Sequence, residues 1–256
     1  MRKLTLLNIV KKTIIWKRKN FLNHLVTWSR TQYKEIIKNN QMQKKKKRFG
    51  ISLRVELIEK YNEKRDTISQ EWTIFLQNLE ITPILIPNTL DDVKSYISDV
   101  EIDGIILSGG DNVWQFPERD KTEKQILDYA GDKRFPVLGV CRGMQIINEY
   151  FGGKMLTNDN DNHVGKPHQI HIMDQKFSKL LGHNNIQVNS FHNNIIAKKS
   201  IGENLQIFAL SPHDNTVEGY YHSDLPIIGV MWHPERDMIS KHQTKLMKIF
   251  ENKSLW

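Results

Sequence analysis

Residues 135–145 have the sequence Phe-Pro-Val-Leu-Gly-Val-Cys-Arg-Gly-Met-Gln, and they include Cys141, the only cysteine of the chain. The apolar residues 136–140 predict a buried central strand, and residues 142–150 have the apolar spacing of a helix. The turn between them has a glycine two residues to each side of Cys141, which permits a sharp reversal from strand to helix. This pattern is the cysteine form of a nucleophile elbow, which would place the sulfur at a helix N-terminus, where a thiolate is favoured.

A lone cysteine is also compatible with a structural role, because thiols often pack as small hydrophobic groups. The flanking glycines, the strand before and the helix after favour a nucleophile. With one cysteine, an internal disulfide is excluded, and the chain fits a reducing compartment such as the cytoplasm. No run of about 18 apolar residues occurs, so we predict no transmembrane helix.

The net charge of +8 is unevenly distributed along the 256 residues. Residues 1–48 contain 15 Lys and Arg against one acid, Glu35, for a net charge of +14. Residues 49–256 contain 22 basic and 28 acidic residues, for a net charge of −6. We therefore predict a basic N-terminal extension over residues 1–48, a catalytic domain over residues 49–256, and no nucleic-acid binding.

The N-terminal extension has two interpretations. Residues 1–41 interleave apolar clusters with lysines, as in an amphipathic helix that lies on an anionic membrane surface. We favour the alternative that this segment is dispensable, because basic termini are usually solvated. Met42 precedes a run of lysines, and a shorter product could begin there.

The remaining chain first alternates strands with helices, which predicts an α/β fold with a mostly parallel central sheet and helices on both faces. The predicted strands there are 49–53, 82–87, 104–107 and 136–140, and the predicted helices are 67–79, 90–100, 120–129 and 142–150. A smaller antiparallel region is predicted from the short strands 169–172, 186–189, 205–210, 216–221 and 227–231, followed by a helix over 241–252.

A base for the cysteine is predicted at Trp232-His-Pro-Glu-Arg236. Residues two apart in an extended segment project to the same side, so His233 and Glu235 can face one site, with the carboxylate orienting the imidazole. A His-Pro-Glu sequence is also compatible with a structural turn that has no catalytic role. The strand before it favours the catalytic interpretation, because open α/β sheets build their sites at strand ends.

Acyl transfer also needs donors for the developing oxyanion. The sequence Ser108-Gly-Gly-Asp111 follows a predicted strand, and its glycines allow a backbone N–H, at Gly110, to turn toward the cleft. The backbone N–H of Arg142, directly after the nucleophile, is the second predicted donor.

These three pieces, in this order, resemble the class I glutamine amidotransferase-like superfamily, which has a flavodoxin-like core, over residues 49–252. Cys141 to Gln145, Arg119-Asp120 with Glu123, and Val188-Asn-Ser-Phe-His192 are similar to its γ-glutamyl hydrolase branch. The resemblance implies hydrolysis of a small-molecule γ-glutamyl amide through a thioester on Cys141, with His233 protonating the departing nitrogen and no cofactor. It also implies contacts to the glutamyl group from Gln145, Asn189, Ser190 and His192, with Arg119 as a further candidate.

Histidines are common metal ligands, and His168 with His171 is the best candidate pair for a metal site. An alternating strand would point these two side chains apart, and no carboxylate cluster accompanies them, so no metal site is predicted.

Three functional hypotheses stay open from the sequence: a stand-alone hydrolase, a glutaminase subunit that delivers ammonia to a synthetase, and a non-catalytic binding protein. Only 30 residues separate Gly110 from Cys141, which leaves little room for long loops. A short, open rim favours a leaving group that extends away from the glutamyl pocket. The oligomeric state has no signature in the sequence.

Overall fold

The structure, a computed structural model, describes residue 32 and residues 46–157, 165–237 and 240–256. The predicted amphipathic stretch (residues 1–41) and Met42 lie outside the described residues, apart from residue 32. The boundary between a basic extension and a catalytic domain therefore stays a prediction.

The described elements alternate between strands and helices up to residue 150, as predicted. In chain order they are β1 (Arg48–Ser52), β2 (Arg54–Ile58), β3 (Glu63–Thr67), α1 (Gln70–Asn78), β4 (Thr82–Ile86), α2 (Val93–Asp99), β5 (Gly104–Leu107), α3 (Pro117–Lys133), β6 (Val137–Val140), α4 (Arg142–Tyr150), β7 (Leu156–Thr157), β8 (His168–Ile172), α5 (Gln175–Leu181), β9 (Asn185–Val188), β10 (Asn194–Ile195), β11 (Leu205–Leu210), β12 (Val217–His222), β13 (Ile227–Val230) and α6 (Lys241–Glu251).

Among these residues, nine strands form one sheet in the order β4-β1-β5-β6-β13-β12-β11-β8-β9. The pairs from β4 to β13 are parallel, and those from β13 to β9 are antiparallel. The predicted fold class is confirmed, and the antiparallel region extends the parallel sheet rather than forming a separate layer. The neighbouring strands β6 and β13 lie at the centre, where their carboxyl ends can share a site.

The sheet buries one apolar cluster on each face. Helices α1, α5 and α6 cover one face with side chains such as Trp72, Phe177 and Phe250. Helices α2, α3 and α4 cover the other face, where Ile126 and Ile147 are fully buried. Because successive residues of a strand point to opposite faces, the uniformly apolar strands of the parallel half supply both clusters.

The structure departs from the predicted elements where local sequence gives a weak signal. Helix α3 begins three residues before the predicted start, because Pro117 fits the first helical turn, where its missing N–H has no cost. The hairpin of β2 and β3 is unpredicted, since it pairs two strands rich in charged residues outside the main sheet. Helix α5 is also unpredicted, and it begins at Asp174, whose side chain accepts hydrogen bonds from the backbone N–H groups of Lys176 and Phe177.

Within the described part of the chain, every helix is too short or too polar to cross a membrane.

Candidate active site

Cys141 lies at the junction of β6 and α4 in a strained backbone conformation. Its φ of 52° and ψ of −105° fall outside the regions that residues with a side chain ordinarily adopt. Two backbone hydrogen bonds hold it there, from its own N–H to the carbonyl of Val230 (2.8 Å) and from the N–H of Gln145 to its carbonyl (3.1 Å). The predicted elbow is therefore present, with its strain maintained by the strand and the helix on either side.

The two glycines of the elbow are required by close backbone packing. A Cβ atom at Gly143 would lie 2.0 Å from the carbonyl oxygen of Leu107. A Cβ atom at Gly139 would lie 2.6 Å from the carbonyl oxygen of Gly143. The first turn of α4 thus packs directly against β5, which sets the position of Cys141 at the sheet edge.

His233 reaches Cys141 because β13 and β6 are parallel neighbours, with Val230 paired to Val140. The imidazole is buried, and its Nδ1 lies 2.6 Å from Oε1 of the buried Glu235. A carboxylate only accepts, so Nδ1 donates this hydrogen bond and Nε2 is the nitrogen that can serve the sulfur. The arrangement is a cysteine, a histidine and a carboxylate in the order that nucleophilic catalysis requires.

The pKa of His233 reflects competition between burial and charge. Burial by itself lowers the pKa, but the negative charge of Cys141, the hydrogen bond to it and the carboxylate of Glu235 raise it to about 10. The raised pKa favours the protonated imidazole, which forms hydrogen bonds to both Cys141 and Glu235.

Replacing Glu235 with glutamine should lower the pKa of His233, because the substitution removes the carboxylate charge that stabilises the imidazolium. The ring can be titrated by NMR in the wild-type protein and the variant. Glu203→Gln, at an exposed position away from the site, is the control. An unchanged pKa in Glu235→Gln would contradict this assignment of the partner.

The predicted oxyanion loop lies beside the nucleophile. Gly110 and Arg142 line a cleft of about 160 Å³ together with Cys141, and Gly110 has a φ of 132°, which favours glycine. The preceding Ser108 fixes the loop to β1, since its N–H and hydroxyl donate to the hydroxyl (3.0 Å) and carbonyl (2.7 Å) of Ser52. Both predicted donors therefore line the same cleft as Cys141, and their role as oxyanion donors stays a prediction.

Gly109 touches the catalytic imidazole. A Cβ atom at this position would lie 2.7 Å from Cε1 of His233, so Gly109→Ala must displace the ring. We expect kcat to fall about 100-fold with little loss of stability, because a misplacement of about 1 Å in a catalytic group has an effect of that order. Gly131→Ala, in a helix with open space around it, is the matched control and should keep full activity. Equal activity of the two variants would contradict the contact.

A buried ion-pair network supports the loop and the elbow from below. Arg142 binds Asp120 and Glu123. Arg119 donates to Asp111 (2.6 Å), to Glu123 (3.0 Å) and to the carbonyl of Ser108 (2.7 Å). Arg119 is completely buried in this network. This placement corrects the predicted substrate contact, since the guanidinium holds the loop and does not line the cleft.

Asn189 also has a different position from the one predicted. Its side-chain amide donates to the carbonyl of His233 (2.8 Å) and accepts from the N–H of His233 (2.8 Å). Both polar atoms are therefore engaged by the backbone of the base, which identifies Asn189 as a residue that positions His233. Ser190 is buried behind the cleft, and its carbonyl accepts a hydrogen bond from Gly165.

Gln145 and His192 do line the cleft with Cys141, as predicted. The Nδ1 of His192 lies 3.0 Å from the carbonyl of Asn194, which can only accept, so Nδ1 carries a hydrogen. Its Nε2 lies 3.9 Å from the buried carboxylate of Glu218. Both ring nitrogens of His192 therefore face protein acceptors, and a contact of Gln145 or His192 with a ligand stays a prediction.

Several residues of the cleft are not predicted from sequence. Asn112 and Asn194 come from distant loops and are joined by a hydrogen bond of 3.0 Å at the rim. Phe191 is 44% exposed and contacts the His233 ring edge to face, with ring centroids 5.8 Å apart. Glu218, which is in β12 and faces Nε2 of His192, does not line the cleft and is also not predicted. Only Phe191 falls inside a motif singled out in the sequence, because the other positions depend on how loops meet.

The fold and this site define a family. The profile of Peptidase C26 matches residues 50–235. The chain belongs to this family, which is part of the class I glutamine amidotransferases, and it is a hydrolase that acts on carbon–nitrogen bonds.

Three individual proteins are similar to this chain over most of their own length. The chain is 34% identical over 198 residues to the γ-glutamyl-CDP-amidate hydrolase of Campylobacter jejuni, covering 74% of this chain and 90% of that protein. It is 38% identical over 183 residues to a putative glutamine amidotransferase of Schizosaccharomyces pombe, covering 60% and 71%. A glutamine amidotransferase from Thermotoga maritima has the same fold, with a TM-score of 0.57 at 15% identity over 82% of this chain and 89% of that one.

Proposed function

We propose that this protein is a stand-alone cysteine hydrolase that cleaves a γ-glutamyl carbon–nitrogen bond and releases glutamate. Its substrate is γ-glutamyl-CDP-amidate, and its other product is CDP-amidate, in capsular polysaccharide modification in the bacterial cytoplasm. One observation carries the proposal: the buried His233, held by Glu235, forms a hydrogen bond with Cys141, and Cys141 lines a polar cleft. The similarity to the Campylobacter jejuni enzyme supports the choice of substrate.

In the first half of the reaction, Sγ of Cys141 attacks the γ-carbonyl carbon. The oxyanion that forms accepts hydrogen bonds from the backbone N–H groups of Gly110 and Arg142. The carbon–nitrogen bond then breaks, and the nitrogen takes the proton from Nε2 of His233. The products of this step are a γ-glutamyl thioester and the free amidate.

In the second half, neutral His233 takes a proton from water as the water oxygen attacks the thioester carbon. The carbon–sulfur bond breaks, glutamate leaves, and Cys141 regains its thiolate beside the imidazolium. Glu235 holds the imidazole in one orientation through both steps. The second half thus restores the protonation states of Cys141 and His233 with which the first half began.

The glutamyl group occupies the cleft beside the nucleophile. Gln145 and His192 face it from α4 and from the loop before β10, and both can bind its charged amino and carboxylate groups. Asn189 serves recognition indirectly, since it fixes the backbone of His233.

The test is product analysis on three compounds: γ-glutamyl-CDP-amidate, γ-glutamyl-p-nitroanilide and glutamine. Glutamate is measured enzymatically, and CDP-amidate is followed by phosphorus NMR. We expect the highest kcat/KM on γ-glutamyl-CDP-amidate and slow release of ammonia from glutamine. Glutamine turnover that rises only when a synthetase is added would instead establish the glutaminase-subunit hypothesis.

A further inference from the structure

A second, smaller cavity of about 40 Å³ lies next to the catalytic histidine. Its lining includes His233 and Glu235, the loop at Ser108–Gly110, and two arginines, Arg54 and Arg236. Neither arginine takes part in the reaction as written above. Two positively charged side chains next to His233, the proton donor, are suited to a leaving group that carries negative charge.

Arg236 is connected to the active site through an aromatic ring. Its guanidinium carbon lies 4.3 Å from the centre of the Phe191 ring, and that ring contacts His233 and lines the Cys141 cleft. The guanidinium also lies 3.5 Å from the half-exposed carboxylate of Glu71. Stacking on an aromatic face orients the planar group and leaves its edge N–H groups for an anion.

Arg54 approaches the same cavity from the β2–β3 hairpin. Its aliphatic stem packs against Gly110, since a Cβ atom there would lie 2.9 Å from the Cβ of Arg54. Its guanidinium donates to Thr67 (3.3 Å) and pairs with the exposed Glu56 (2.8 Å). Such exposed ion pairs contribute about 0–1 kcal/mol, so an incoming phosphate can replace them.

Whether Arg54 and Arg236 could bind a leaving group depends on the atom that is attached to the scissile nitrogen. The scissile nitrogen must come within hydrogen-bond distance of Nε2 of His233 to accept its proton. The leaving-group atom that is bonded to this nitrogen therefore lies close to His233, at the rim of the cleft. In a neutral amide that atom is carbon or hydrogen, and two guanidinium groups would add nothing. In a phosphoramidate it is a phosphorus with anionic oxygens, which arginine binds in a bidentate manner.

We infer that Arg236, together with Arg54, binds the phosphoryl group attached to the scissile nitrogen and so selects substrates with an anionic leaving group. This inference rests on the proposed function and deepens it. The hairpin of β2 and β3 then has a role, because it carries Arg54 to the rim. Lysine would preserve the charge of Arg236 and lose its planar, stacked geometry.

The experiment compares kcat/KM on γ-glutamyl-CDP-amidate with kcat/KM on the neutral γ-glutamyl-p-nitroanilide. Arg236→Ala and Arg54→Ala should each lower the ratio of the two values about 10- to 100-fold, the loss typical of one hydrogen bond between charged groups. Arg236→Lys should lie between Arg236→Ala and the wild type. Arg65→Ala is the matched control, since Arg65 is an exposed arginine of the same hairpin that pairs with Glu63.

A binding measurement separates this inference from the proposed function. Titration calorimetry with CDP should show weaker binding to Arg236→Ala than to the wild type and to Arg65→Ala, whether or not the protein cleaves γ-glutamyl compounds. Equal losses on both substrates, or unchanged CDP binding, would overturn the inference and leave the hydrolase assignment in place. Lack of γ-glutamyl cleavage by the wild type, with CDP binding that depends on Arg236, would overturn the proposed function alone.

Discussion

Replacement of Cys141 with alanine is expected to reduce turnover of γ-glutamyl substrates by about 10⁶-fold, the scale on which removal of a nucleophile from a catalytic unit acts. The sulfur is the atom that attacks the carbonyl, and the cleft offers the substrate no second nucleophile among the described residues that line it. Without it, His233 keeps its hydrogen bond to Glu235 but has no nucleophile to serve.

The measurement is steady-state release of glutamate, and mass spectrometry of the wild type during turnover should show the added mass of a glutamyl thioester. Thermal unfolding confirms that the variant is folded, and Cys141→Ser, which keeps the side-chain volume, guards against a packing effect. Unchanged turnover in both folded variants would contradict a mechanism that uses Cys141 as the nucleophile, whereas loss of turnover in the folded variants would exclude the non-catalytic binding hypothesis.

Glu123→Gln is expected to lower the free energy of unfolding by about 3–5 kcal/mol, the cost of breaking a buried ion pair from one side. Glu123 is fully buried and accepts hydrogen bonds from Ser52 (2.7 Å), Arg119 and Arg142. Burial raises its pKa, but the charges of Arg142 and Arg119 outweigh burial and lower the pKa below the ordinary value. The neutral amide would leave two buried guanidinium groups without their shared counter-ion.

Urea denaturation of the two proteins gives this difference directly. Glu118→Gln is the control, because Glu118 is in the same helix and pairs with Lys64 at the surface (2.7 Å), where we expect a loss of at most about 1 kcal/mol. Because the folded-state pKa of Glu123 is lowered, its stabilisation is present above the unfolded pKa and is lost as the pH falls through the folded one. The difference between Glu123→Gln and the wild type should therefore shrink in acid, and a difference independent of pH would contradict a charge effect.

Much of the parallel half of the fold follows from local sequence. Helix Arg142–Tyr150 and strand Gly104–Leu107 have the bounds that the apolar pattern predicts, and so does strand Leu205–Leu210 in the antiparallel half. These segments are strongly periodic or uniformly apolar, so burial and local preference agree. The β2–β3 hairpin is not predicted, because its strands pair with each other outside the main sheet and β3 consists of charged and polar residues.

The candidate site divides in a similar way. Cys141, His233 and Glu235 can be predicted from the sequence, because glycine spacing, a proline and the ends of apolar strands mark their positions. The contacts of Arg119 and Asn189 cannot be predicted from the sequence. A motif shows which residues are near a site, but not which group each side chain binds. Arg119 binds a buried carboxylate, and Asn189 binds the backbone of His233.

The sequence by itself determined the alternating α/β order, the elbow at Cys141 and the histidine–carboxylate pair that follows the last strand. It could do so because glycine, proline and apolar runs restrict the backbone locally. Only the tertiary structure decided that Arg119 and Arg142 share buried acids and that Arg236 and Arg54 meet beside His233. Those contacts join segments far apart in the chain, and they depend on strand order and loop packing, which no local pattern encodes.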